Sequence, residues 1–121
     1  MKIEEYQTEV AAWSLHNFGD TTECAVELAA LGLAEEAGEV NRALLKRMQG
    51  IRGTREEWTT ELRNEFGDVF IKLCDLAERE GVSLADCIAA RWAAVSQRNW
   101  RKDTVGHGIP AEPAPSTEAG A

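Results

Sequence analysis

The sequence predicts an all-α protein, a four-helix antiparallel bundle, and three observations carry this prediction. Apolar residues recur at spacings of three and four along most of the chain. Capping boxes at residues 20–23, 54–57 and 83–86 mark helix starts, and Gly81 is well placed to end a helix. The chain has 121 residues, 44% of them hydrophobic, which is enough for the core of about one domain.

The first predicted helix covers residues 3–18, and the second runs from the capping box at 20–23 to about Met48. The first carries an apolar stripe formed by Ile3, Tyr6, Val10 and Trp13. Between residues 25 and 34 the apolar residues of the second cover nearly every angle of the helical wheel, so we expect this half to be buried on all sides. It is the predicted central helix. The other three helices of a single chain are too short to cover all of its apolar surface, which predicts a homodimer or homotetramer.

Two further helices and a tail complete the predicted chain. The third helix follows the capping box at 54–57 and runs to about Glu80, with a core seam of Leu62, Phe66, Val69, Leu73 and Leu76. The fourth follows the box at 83–86 and runs to about Arg101. After it the chain holds all three prolines and no Lys or Arg, which predicts a disordered tail at 103–121 beyond a helical domain at 1–102.

Charge and composition argue against several classes of partner. The 13 Lys+Arg and 21 Asp+Glu give a formal charge of −8 without a basic stripe, so we expect no binding to long nucleic acid. The longest apolar run of the second helix is seven residues, far short of the roughly 20 that span a bilayer, and the first residues lack a signal pattern. These features predict a cytoplasmic protein with no membrane partner. Cys24, Cys74 and Cys87 are predicted to be reduced, buried thiols.

Four carboxylates interrupt the apolar pattern of the second and third helices. Glu36 and Glu39 lie at i, i+3 on one helix face, and Glu65 and Asp68 have the same spacing on the next helix. Two antiparallel helices can therefore face all four into one site. Ionised carboxylates among apolar neighbours lose solvation unless cations or donors replace the water, so this cluster predicts a bound metal ion.

Five further side chains are candidate substrate contacts, each with a structural alternative. Lys46 lies near the carboxylate face and would meet phosphate, or it is a solvated cation matched to the helix dipole. Arg91 and Arg98 share an apolar stripe, where they meet carboxylates or phosphate, or cover the core with their stems. Trp13 stacks on a base or belongs to the core. His16, one turn on, contacts the same ligand or is a surface histidine.

The two acidic motifs carry a family resemblance. Glu35-Glu-Ala-Gly-Glu39, 25 intervening residues and Glu65-Phe-Gly-Asp-Val69 resemble the MazG-like, all-α nucleoside triphosphate pyrophosphohydrolases. The signature of that family is E-E-x-x-E followed by E-x-x-D on the next helix. The similarity covers about residues 5–102, and the turn Gly-Val-Ser-Leu and the ending Arg98-Asn-Trp-Arg-Lys102 resemble the short, single-domain members, including phage-type ones.

The resemblance implies hydrolysis of a (deoxy)nucleoside triphosphate to monophosphate and pyrophosphate with Mg²⁺, or with Mn²⁺ in its place. By position it implies four metal ligands, which are Glu36, Glu39, Glu65 and Asp68. Glu35 is an additional acidic member, and Glu35 or Glu36 is the better candidate for orienting the attacking water. Lys72 stands where dCTP-directed relatives carry an aromatic residue, and Arg91 stands where a lysine is common, so both are candidate substrate contacts.

Two other interpretations compete with this one. A ferritin-like di-iron bundle needs Glu-x-x-His twice, whereas the only histidines are His16 and His107, and neither is in that motif. A non-enzymatic acidic bundle that senses nucleotides or binds a partner would leave the carboxylates solvated. The chain offers no Ser/His/Asp or reactive-cysteine arrangement, which leaves metal-assisted hydrolysis as the natural enzyme class.

Overall fold

The computed structural model describes residues 1–19 and 25–101. In these ranges the secondary structure consists of α-helices without strands: α1 (Ile3–Phe18), α2 (Ala25–Gln49), α3 (Arg55–Arg79) and α4 (Leu84–Val95). The predicted all-α class is therefore confirmed. None of these helices combines the length and apolar composition that a bilayer-spanning segment needs. The predicted capping box at 20–23, Cys24 and the predicted tail at 103–121 lie outside the described residues.

The chain divides into two compact units, and the boundary falls inside α4. The first unit, Met1–Cys87, contains α1, α2, α3 and the first turn of α4. The second unit begins at Ile88 and contains the rest of α4. All the carboxylates of the two acidic motifs belong to the first unit, so the candidate site is described within it.

Local side-chain chemistry fixes the ends of α3. At the start, the Thr54 hydroxyl accepts the N–H of Glu57 at 3.1 Å, and the Glu57 carboxylate accepts the N–H of Thr54 at 2.6 Å, which is the predicted capping box. At the end, Gly81 has a φ of 69°, in the left-handed region that favours glycine. The N–H of Val82 then donates to the Ala77 carbonyl at 3.0 Å, as in a Schellman motif.

The fourth helix is shorter than predicted, because it ends at Val95 instead of near Arg101. Its start is as expected, since the Ser83 hydroxyl accepts the N–H of Asp86 at 3.2 Å. Beyond Val95, a side chain takes a backbone hydrogen bond that would otherwise continue the helix. The Asn99 side-chain oxygen accepts the N–H of Arg101 at 3.1 Å, a local bond that favours a turn over a continued helix.

Helices α2 and α3 pack against each other in opposite directions. Near the start of α2, Gly32 faces the Lys72 side chain near the end of α3. Near the end of α2, the Arg47 guanidinium donates to the Thr59 hydroxyl near the start of α3 at 3.2 Å. Residue numbers thus rise along one helix as they fall along the other, which is the antiparallel pairing that the acidic motifs require.

The helix with most of the packing is α3, which contacts both α1 and α2. The prediction that the apolar half of α2 is buried on all sides is wrong for the single chain, because Leu28 and Leu31 are 61% and 68% exposed. Four of the five residues of the predicted core seam of α3 are buried or half-buried, and Phe66 is the exception. Phe66 is 58% exposed, whereas its neighbour Glu65 is only 7% exposed.

Two apolar clusters hold the first unit together, one on each side of Glu65. The first cluster consists of Ala43 on α2 with Trp58 and Leu62 on α3. The second consists of Cys74, Ala77 and Leu84, packed by partly buried side chains of α1 and α3. Cys74 is a fully buried free thiol whose pKa is raised by burial, as predicted, whereas Cys87 is exposed and departs from the prediction.

Buried polar contacts attach α1 to the end of α3. The Gln7 amide donates to the Glu78 carboxylate at 3.1 Å and to the Val82 carbonyl at 2.8 Å, and its oxygen accepts the N–H of Leu84 at 2.8 Å. Further along α1, the buried Ser14 hydroxyl accepts a hydrogen bond from Arg79 at 3.1 Å. These bonds set where α1 lies along α3.

Replacing Gln7 with alanine should destabilise the fold, because it leaves the Leu84 N–H and the Val82 carbonyl without their partner. Buried polar groups left unpaired cost about 1–3 kcal/mol each, so we expect the free energy of unfolding to fall by about 2 kcal/mol. Thr8→Ala is the control, because the exposed Thr8 hydroxyl donates only to the Glu4 carbonyl within α1. Urea unfolding followed by circular dichroism measures both variants. Equal stability of the two would contradict the role given to Gln7.

Candidate metal centre

Three carboxylates meet where α2 crosses the middle of α3. One oxygen from each of Glu36, Glu65 and Asp68 lies within 4.8 Å of the other two. Glu36 comes from α2, and Glu65 and Asp68 come from one face of α3 because they are three residues apart. Glu65 is buried, Glu36 is half-buried and Asp68 is exposed, so the cluster extends from the helix interface to the surface.

Burial and mutual repulsion make it unfavourable for all the carboxylates of the cluster to be ionised when no cation is bound. The pKa of Glu65 is raised from 4.5 to about 7, first because burial removes water from its carboxylate. A side-chain hydrogen bond with Glu61 and the negative charges of Glu61, Asp68 and Glu36 raise that pKa further. Near neutral pH, the Glu65 carboxyl is therefore divided between its protonated and ionised forms.

Sequence reasoning missed Glu61. This residue lies one turn before Glu65 on α3 and is half-buried, and the two carboxyl groups share a hydrogen bond. The signal that could have found it is the i, i+4 spacing, which puts Glu61 on the same helix face as Glu65. The acidic face of α3 is therefore one turn longer than the E-x-x-D motif.

Glu39 and Glu35 lie outside the three-carboxylate cluster. The Glu39 side chain is 41% exposed and forms an ion pair with Arg42 at 3.7 Å, one turn along α2. Glu35 is exposed. The structure thus brings together three of the four residues predicted as ligands, and the assignment of Glu39 stays a prediction from its spacing.

Lys72 lies one turn beyond Asp68 on α3 and is the cation next to the cluster. Its aliphatic stem and ammonium group pass over Gly32, where an added Cβ would meet Lys72 carbons and Nζ at 3.4–3.6 Å. Gly32 itself is one turn before Glu36, so the lack of a side chain there lets Lys72 cross α2 beside the carboxylates. Within residues 1–19 and 25–101, the ammonium group forms no ion pair or hydrogen bond.

A pocket of about 490 Å³ opens on the Lys72 side of the cluster. Its polar wall is formed by Lys72, Asp75 and Arg79, and Asp75 and Arg79 are held together by a hydrogen-bonded ion pair of 3.1 Å. Its apolar wall includes Phe18 from the end of α1 and Leu28 from α2. A pocket of this size, with apolar walls and a few fixed polar groups, is typical of small-molecule sites.

The other predicted substrate contacts are more scattered. Trp13 is 53% exposed, so it is not a core residue, and its ring makes an edge contact with Phe18 at 5.6 Å. His16 is exposed in the last turn of α1. Lys46 is half-buried and donates to the Gln49 side chain at 3.3 Å.

Arg91 and Arg98 belong to the second unit. Arg91 is exposed on α4, and Arg98 is exposed beyond the end of α4, where its guanidinium lies over the Trp100 ring at 5.7 Å. Their predicted contact with carboxylates or phosphate stays a prediction.

The donors of the cluster suit a hard divalent cation. Mg²⁺ prefers oxygen ligands, keeps several waters and is usually held by one or two carboxylates together with substrate phosphates. Three carboxylates from two helices match that preference. The chemistry such a group supports is binding and hydrolysis of a phosphate ester or anhydride.

Comparison of the chain with protein-family models, curated proteins and solved structures finds no match. The functional assignment therefore rests on the motifs and on the geometry described above.

The raised pKa of Glu65 predicts that stability falls with increasing pH. Between its ordinary pKa of 4.5 and about 7, the folded protein holds a proton that the unfolded chain has released, so the free energy of unfolding decreases across this interval. We expect the metal-free protein to melt at a lower temperature at pH 8 than at pH 5, and Glu65→Gln to reduce this difference. Thermal melts in chelator provide the measurement.

Glu35→Gln is the matched control for this measurement, because it removes one exposed carboxylate outside the cluster. It should keep the wild-type difference between the two pH values. If Glu65→Gln also keeps that difference, the Glu65 carboxyl does not carry the pH dependence.

Proposed function

We propose that the protein is a nucleoside triphosphate pyrophosphohydrolase, which uses Mg²⁺ to hydrolyse a (deoxy)nucleoside triphosphate to monophosphate and pyrophosphate. The observation that carries the proposal is the convergence of Glu36, Glu65 and Asp68 oxygens within 4.8 Å. It supports the resemblance of the two acidic motifs to MazG-like enzymes, because the residues at the motif positions lie together in space. Mn²⁺ is the alternative cation, and control of the nucleotide pool is the proposed role.

The reaction needs a nucleophilic water and stabilised phosphate charge. When bound, Mg²⁺ supplies charge neutralisation and makes a bound water more acidic. Glu36, Glu65 and Asp68 would hold the cation, and the Lys72 ammonium, which has no partner among residues 1–19 and 25–101, would contact the α-phosphate from the neighbouring turn. The water oxygen bonds to the α-phosphorus as the bond to the α–β bridging oxygen breaks. The electron pair stays on pyrophosphate, and a carboxylate of the cluster accepts the proton from the water.

The nucleoside occupies the pocket at the Lys72 end of the cluster. Phe18 offers a ring on which a base can stack, and Asp75 and Arg79 offer an acceptor and donors for its polar edge. Trp13 contacts Phe18 and so supports the stacking wall. The proposal thus assigns the motif carboxylates to cleavage, and Phe18 with Asp75 and Arg79 to base recognition.

Substitutions that remove one ligand charge without changing shape should abolish turnover. We expect Glu36→Gln and Asp68→Asn each to lower kcat/KM by about a hundredfold or more, while the helical circular dichroism spectrum stays unchanged. The assay incubates a panel of nucleoside triphosphates with Mg²⁺ and measures monophosphate and pyrophosphate. Orthophosphate with a diphosphate product would contradict the proposed reaction type.

The exposed Glu80 at the end of α3 provides the matched control, because Glu80→Gln removes the same charge away from the cluster. Mg²⁺ should raise the melting temperature of the wild type and of this control but not that of Asp68→Asn, since an ion that binds only the folded state stabilises it. Nucleotide binding without any turnover would instead favour a sensing module.

We further propose that the chain forms a homodimer or homotetramer. Leu28 and Leu31 on α2 are more than 60% exposed, and a groove of about 680 Å³ between α1 and α3 is lined mainly by apolar side chains, including Trp13 and Phe66. Large exposed apolar surfaces are uncommon on soluble monomers and often mark interaction sites.

Light scattering at micromolar concentration should therefore give a mass at least twice the chain mass of 13.3 kDa. Leu31→Lys places a charge on an exposed position and should lower that mass without loss of helix content. A wild-type mass of 13.3 kDa would rule out the proposed oligomer.

A further inference from the structure

A second pocket lies at the opposite end of the acidic face, beside the loop that joins α2 to α3. It has a volume of about 380 Å³ and is lined by Arg42, Arg52, Glu57, Trp58 and Glu61. It adjoins the carboxylate cluster directly, because Glu61 lines the pocket and its carboxyl group is hydrogen-bonded to that of Glu65. The cluster thus has a pocket on each side along the α2–α3 pair.

The two acidic groups that line this pocket already have partners. The Glu57 carboxylate accepts the N–H of Thr54 in the capping box. The Glu61 carboxyl is paired with Glu65. The Arg52 guanidinium differs from them, since Arg52 forms no ion pair or hydrogen bond within the described ranges, 1–19 and 25–101. The pocket therefore presents uncommitted positive charge next to a concentration of negative charge.

Arg42 is held in place while most of its donors remain available. Its guanidinium lies 5.5 Å above the centre of the Trp58 ring and 3.7 Å from Glu39, which is an ion-pair distance beyond hydrogen-bond length. A guanidinium carries five N–H donors in a planar fork that matches phosphate oxygens. Its position is thus set by packing, and its hydrogen-bonding capacity is left for a ligand.

The loop fixes Arg52 in an unfavourable backbone conformation. Arg52 has a φ of 60°, in the left-handed region where a side chain costs roughly 1–2 kcal/mol. The preceding carbonyl, that of Ile51, accepts the Trp58 indole N–H at 3.0 Å. A Cβ at the following Gly53 would lie 3.1 Å from both Glu57 and Trp58 side-chain atoms, so the loop packs closely on α3. The chain keeps an arginine where glycine would fit better.

We propose that Arg42 and Arg52 bind the β- and γ-phosphates of the substrate, which become the leaving pyrophosphate. This inference rests on the proposed function and adds the direction in which the substrate lies: nucleoside at Lys72, α-phosphate at the three carboxylates, and terminal phosphates at the inter-helix loop. The two arginines are binding residues that act on the negative charge left on pyrophosphate when the α–β bond breaks.

The test compares Arg52→Gly and Arg42→Gln with Arg55→Gln. Glycine accepts the φ of Arg52, so Arg52→Gly should fold and melt no lower than the wild type. Arg55→Gln removes an equal charge directly after the pocket loop, at the exposed start of α3, from a residue that does not line the pocket. Calorimetry with inorganic pyrophosphate and Mg²⁺ measures binding without turnover. We expect about tenfold weaker binding for Arg52→Gly and Arg42→Gln, and unchanged binding for Arg55→Gln.

Turnover separates the two proposals. If Arg52 binds the terminal phosphates, Arg52→Gly should lower kcat/KM about tenfold for a triphosphate and far less for the corresponding diphosphate. A wild type that releases no pyrophosphate from triphosphates overturns the proposed function. If the wild type does release pyrophosphate, two results would overturn the arginine assignment alone. One is that Arg52→Gly binds pyrophosphate as tightly as the wild type does. The other is that Arg55→Gln weakens pyrophosphate binding as much as Arg52→Gly does.

Discussion

Repulsion among Glu36, Glu65 and Asp68 is the constraint on which the rest of the first unit depends. Their oxygens lie within 4.8 Å of each other, and Glu65 is buried, so the metal-free fold must hold like charges together. The apolar clusters around Trp58 and around Cys74 lie on either side of this point and supply the packing that offsets it. Such a loss of stability is common at functional sites and fits the proposal that this cluster is one.

The parts of the fold that sequence predicts are those fixed by local chemistry. The capping box at Thr54 and the left-handed glycine at Gly81 determine the ends of α3 through bonds within a few residues. The sequence also predicts that carboxylates of α2 and α3 meet, because i, i+3 spacing determines the helix face and short connections favour antiparallel neighbours. It does not distinguish Glu36, which joins Glu65 and Asp68, from Glu39, which lies outside the cluster.

The parts that sequence does not predict depend on that packing. Periodicity shows that α2 is apolar on all sides but not that α3 is the helix with two partners, so Leu31 was expected inside and is exposed. Phe66 was expected in the core seam of α3 and is 58% exposed, because periodicity does not show how far the neighbouring helices cover that face. Arg52 could not be identified from the sequence, because the pocket that it lines forms only when the loop packs on α3.

The antiparallel α2–α3 pair, joined by the short loop at residues 50–54, contains every charged group assigned to cleavage and phosphate binding. Helix α1 contributes Asn17 and Phe18 to the proposed base pocket, whereas Leu28 comes from α2 and Lys72, Asp75 and Arg79 come from α3. If the proposed site is correct, a substitution of Phe18 changes one wall of this pocket and leaves Glu36, Glu65 and Asp68 in place. The base that is accepted could then change without loss of the carboxylates that would bind the metal.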